Sequence, residues 1–140
     1  MNALSGYRVA TKAAIAYTAL FAVGSFLSIK RDYPAHPLGM KTGWSTKKGV
    51  LSGIHGGGLA APWNIILQLW IAVGMAGAPG RKGRRRKAWF AFLASMFIAG
   101  SVAEPVSHKT VTRELPTPDM TVALANIVVP AFIFGGALVR

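Results

Sequence analysis

Cysteine is absent from this chain, which excludes a disulfide framework, thiol catalysis and Cys-ligated zinc or iron–sulfur centres. Acidic residues are nearly absent as well: four Asp or Glu stand against 16 Lys or Arg, for a formal charge of +12 over 140 residues. A charge of that size and sign suggests a nucleic-acid binder, but such proteins are polar on average and this chain is 52% hydrophobic. Nucleic acid is therefore set aside as a partner, and the same apolar fraction excludes disorder.

The apolar residues come in runs. A transmembrane helix needs roughly 20 mostly apolar residues to cross about 30 Å of hydrocarbon, and four segments read this way: 9–29, 59–78, 88–103 and 120–139. The third is short, and at 1.5 Å per residue it reaches only about 24 Å. Trp89 at one end and Glu104-Pro105 at the other place its limits at the interfaces. The first run is long for a cleaved leader and is followed directly by Lys30-Arg31, which reads as an uncleaved anchor. The expected fold is an all-α integral membrane protein, a single domain over 1–140 built as a four-transmembrane-helix bundle. Loops 30–58 and 104–119 join the spans on one side and the basic loop 79–87 joins them on the other.

Lys and Arg collect on the cytoplasmic side of membrane proteins, and Arg81, Lys82, Arg84, Arg85, Arg86 and Lys87 crowd into one short loop. That density predicts an N-in/C-in orientation in the cell (inner) membrane, with the basic loop facing anionic lipid headgroups.

Within lipid there is little hydrophobic drive between helices, so packing relies on small residues and a few polar groups. Ala91, Ser95, Ala99 and Ala103 form a stripe at a spacing of four in the third span, and Ala131 and Gly135 repeat the device in the fourth. Ala10, Ala14, Thr18 and Ala22 do so in the first. Pro130 removes one backbone hydrogen bond and predicts a kink near Asn126, whose amide is expected to meet a freed carbonyl. Asn64 and Gln68 lie one turn apart and, with Asn126, predict a polar seam. No Asp, Glu, Lys or Arg stands in the middle of any span, so the usual mark of proton-coupled transport is missing.

The three histidines, His36, His55 and His108, fall with Glu104 on the outer loops. Two imidazoles and a carboxylate suit zinc or non-haem iron, but these come from separate segments without local ligand spacing. If the third helix runs on past Pro105, Glu104 and His108 share a face. A bilayer-spanning haem is disfavoured because no histidine lies within a span. His55-Gly56-Gly57-Gly58 has the letters of a lipase oxyanion loop without its G-x-S-x-G partner, and reads instead as a turn or a re-entrant segment.

The first functional reading is a non-catalytic accessory or assembly subunit of a membrane complex, or a homo-oligomer. The alternatives are a small transporter or channel using Asn64, Gln68 and Asn126, and a metal- or quinone-associated subunit using the His and Glu cluster.

Overall fold

The computed structural model describes residues 3–36, 40–41, 43–52, 56–74 and 81–138. Six helices follow in order: α1 (Ala3–Arg31), α2 (Thr46–Ser52), α3 (Trp63–Gly74), α4 (Arg81–Ala103), α5 (Pro105–Val111) and α6 (Thr117–Leu138). No strand forms among the described residues, only isolated bridges between Pro34 and Gly57 and between Gly57 and Ala60.

Two helices are long and apolar enough to cross a membrane, over Arg8–Arg31 and Thr117–Gly136. Lys87–Ala103 and Pro105–Val111 pass the same test only together, as a pair bent by 68°. The bend has a local cause. Proline disfavours the helical region for the residue before it, and Glu104 accordingly takes extended backbone (φ −71, ψ 133) with Pro105 opening α5. The condition under which Glu104 and His108 would share a face, a helix running on past Pro105, is therefore not met. Two further boundaries differ from expectation. Leu59 to Pro62 are irregular and α3 begins only at Trp63. The basic run lies inside α4, where Arg and Lys, good helix formers, extend the apolar segment toward its start.

α1 and α6 make the broadest helix contact, followed by α4 and α6. Between them lie two cores. One, at the end of the molecule where α4 begins, gathers Ala13, Ala14 and Tyr17 of α1, Ile66 and Leu69 of α3, Phe90, Leu93, Ala94 and Phe97 of α4, and Ile133 of α6. Tyr17 and Phe97 meet with ring centroids 4.4 Å apart at 41°. The other, at the Glu104 end, joins Leu59, Val106, Leu115, Val122 and Ala123. Outward faces stay apolar: Ile15, Val23, Phe26, Leu124, Val128 and Phe132 are all exposed, a surface that fits lipid better than water.

The buried face of α4 is the one carrying Phe90, Leu93, Ala94 and Phe97, while Ser95 and Ala99 are exposed and Ala91 and Ala103 half-buried. On α6, Ala131 and Gly135 are exposed and the buried line runs through Val122, Asn126, Pro130 and Ile133. Within one molecule, Ser95 and Ala99 of the α4 stripe and both residues of the α6 pair are thus exposed, and Ala91 and Ala103 are partly covered. In α1, Ala10 and Ala14 are buried, Thr18 half-buried and Ala22 exposed.

Candidate functional site

The feature that organises the Glu104 end is the stretch 56–61, which is buried between helices without being helical itself. Irregular backbone at that depth must have its polar groups satisfied by protein, and Gly57 to Ala60 are tied as follows. Leu59 N–H donates to Ser28 Oγ at 3.0 Å, and Leu59 O accepts from Asn126 Nδ2 at 2.8 Å. Gly58 N–H reaches Tyr33 O at 2.9 Å, while Gly57 and Ala60 exchange N–H···O bonds of 3.0 Å in each direction. Gly56 turns the chain at φ +70, a conformation that suits glycine. Gly24 of α1 gives the stretch its space, because a Cβ there would stand 2.0 Å from Leu59 O.

Asn126 shows how α6 is adapted to this task. Pro130 has no N–H, so the carbonyl four residues earlier, that of Asn126 itself, loses its helical partner. Ser101 Oγ of α4 donates to that carbonyl at 3.2 Å, and the Asn126 side chain is left for Leu59. The freed carbonyl near Asn126 was legible in the sequence. Its partner is Ser101, not the Asn126 amide.

A second set of bonds closes the end of the molecule. Asp119, fully buried in the first turn of α6, accepts from Tyr33 Oη at 3.0 Å and lies 3.5 Å from Arg31 Nε. Asp32, at φ 54 just after α1, accepts from Thr46 Oγ1 at 2.6 Å and so ties α2 to the same corner. Glu104 accepts the His36 N–H on both carboxylate oxygens, at 3.2 and 3.1 Å. Burial pushes its carboxyl up to about 7, against the His36 N–H, which favours the carboxylate.

These ties frame a cavity of about 280 Å³. Its walls are Gly57 to Pro62 and Ile65 on one side, Met96, Phe97, Ala99, Gly100 and Ser101 of α4 on another, with Tyr17, Ala123 and Asn126 behind and Glu104 and Ser107 at one end. Met96, Ala99 and Gly100 are exposed, which sets the mouth on the outward side of α4. From Glu104 to Met96 is eight helical residues, so the cavity runs about 12 Å along the helix.

Among residues singled out from the sequence, Asn126 and Glu104 both line this cavity. Asn64 is exposed and Gln68 half-buried on α3, and neither lines it. His36 joins Glu104 through its backbone N–H, His108 is exposed on α5, and His55 lies outside the described residues. No group of three or more His, Cys, Asp or Glu able to hold a metal occurs among the described residues. Of the basic run, Arg85 is exposed. Sequence reasoning missed Gly24, Ser28, Tyr17, Ser101 and Ser107. The available signal was small and hydroxyl residues placed among apolar ones near the ends of runs. The chain matches no protein-family model, no curated protein and no solved structure.

Proposed function

We propose that this chain is a small multi-pass protein of the cell (inner) membrane that holds a small amphipathic molecule in the cavity at its Glu104 end. The observation that supports this most directly is the cavity's construction: about 280 Å³ with one wall of irregular backbone seated by hydrogen bonds at Gly57 to Ala60. Protein interiors are close-packed, and a void beside a wall held this firmly does not simply collapse. Its size lies at the small end of ligand pockets. Gly100 provides the test. It lines the cavity at its exposed mouth, and a Cβ added there meets nothing within 4 Å, so Gly100→Leu adds bulk at the entrance without a steric clash. Protein extracted gently from its own membranes should carry a small molecule, seen by mass spectrometry after solvent release, that the variant lacks. Identical profiles from the two would remove this reading.

In this reading α3 is part of a second span and the orientation is N-in/C-in, with Arg81, Lys82 and Arg84 to Lys87 at the cytoplasmic surface among anionic headgroups and Glu104 outward. The native chain lacks cysteine. A His108→Cys protein in right-side-out vesicles should therefore react with an impermeant maleimide while a Gly83→Cys protein does not, and the reverse pattern would invert the topology.

A second reading, a subunit packed against another copy or another membrane protein, is favoured by one observation. Ser95 on α4 and Ala131 and Gly135 on α6 are exposed, and such small residues let helices approach closely. Oxidative cross-linking of a Ser95→Cys variant in native membranes tests it, and a product of monomer size alone would count against self-association.

A further inference from the structure

We infer that the cavity takes a protonated amine carried on an apolar body, with its ammonium at Glu104; this rests on the ligand-binding reading above. The argument is a count of donors and acceptors on the cavity wall. Of the loop N–H groups, Gly57, Gly58, Leu59 and Ala60 all donate within the protein. Ser107 Oγ donates to Ser101 O, and Ser101 Oγ donates to Asn126 O. Tyr17 and Ser101 share a further hydrogen bond on this wall. One Asn126 amide proton is held by Leu59 O. Beside the Ala61 N–H and the second Asn126 amide proton, the wall offers a larger stock of acceptors: lone pairs on the two serine oxygens and the Glu104 carboxylate, whose donor among the described residues, the His36 N–H, is shared by its two oxygens.

A wall short of donors selects its guest. A quinone headgroup or a carboxylate offers only acceptors and finds few hydrogen bonds here, and an anion also meets Glu104. An ammonium brings three donors and a positive charge, and a charge-assisted bond to a carboxylate is among the stronger hydrogen bonds. Among the described lining residues Glu104 is the one Asp, Glu, Lys, Arg or His. The rest of the roughly 12 Å length, down to Phe97 and Met96, is apolar or aromatic and suits a hydrocarbon or arene tail.

The test compares three probes of one shape, 4-phenylbutylamine, 4-phenylbutanol and 4-phenylbutyrate, by calorimetric titration into protein in zwitterionic-lipid nanodiscs, with empty discs subtracted. The amine should bind about tenfold or more tightly than the alcohol, the acid should not bind measurably, and Glu104→Gln, which retains an acceptor for the His36 N–H, should erase the amine's advantage. Equal binding of amine and alcohol to the unaltered protein would overturn the inference, and so would an amine affinity that Glu104→Gln leaves unchanged. Both results leave the cavity itself in place as a ligand site. The cavity reading fails separately, if Gly100→Leu leaves the binding of every probe intact.

Discussion

The two halves of the molecule solve the same packing problem by different means. Where α1, α3, α4 and α6 meet around Tyr17, Phe90 and Phe97, side chain fills against side chain and the helices remain regular. At the Glu104 end the space between α1, α4 and α6 is taken by the backbone of residues 56–61, anchored by Ser28, Asn126 and Tyr33. That side-chain core turns Tyr17 and Phe97 toward the cavity as one of its walls. Backbone held by hydrogen bonds leaves a fixed wall with a void beside it, and the polar groups needed to hold the wall also give the void its acceptor character.

Gly24→Ala should disturb the comparison most. The added methyl would stand 2.0 Å from Leu59 O, so the loop must leave its seat and surrender both Leu59 hydrogen bonds. The expected cost is about 3 kcal/mol, confined to one half. Hydrogen exchange should accelerate at residues 56–61 while amides near Tyr17 stay protected, and uniform loss of protection across α1 would show that the halves are not separable.

Phe90→Ala probes the other side of the comparison. Lipid is as apolar as the core, so the transfer contribution largely cancels and the cavity contribution remains, about 2 kcal/mol. Thermal unfolding in detergent should shift downward as one transition, with exchange at 56–61 unchanged below it. A selective loosening of the loop instead would mean that the two halves are coupled through Phe90.

The smallest effect is that of pH. Glu104 has its folded pKa raised from 4.5 to about 7, so in this interval the folded state binds more protons than the unfolded one. Its contribution to stability is fully present below about 4.5 and is lost as pH rises through about 7. The melting temperature of the unaltered protein should fall over that window relative to Glu104→Gln. Parallel profiles would place Glu104 in a more solvated setting.

The two longest apolar helices were legible because length and hydropathy are local properties, and both appear within a few residues of the expected limits. The inward face of α4 was not. In lipid both faces of a helix can be apolar, so periodicity loses its meaning, and the small residues that looked like the packing seam proved to lie opposite Phe90 and Phe97. Leu59-Ala60-Ala61 reads as the start of a span by hydropathy alone; it is loop because Gly24, Ser28 and Asn126, distant in sequence, offer it space and partners. Glu104 stood out as an interfacial carboxylate, but its partner is a backbone N–H 68 residues earlier that no side-chain pattern announces.

The bonds that seat the loop also carry a timetable. Leu59 O is held by a residue 67 positions later, and Tyr33 by one 86 positions later, both on the last helix. During synthesis the loop therefore emerges with a bare carbonyl that only α6 can cover. Until that helix arrives, Leu59 O lacks the Asn126 amide that holds it in the finished molecule, so the loop takes its final seat only once the chain is nearly whole.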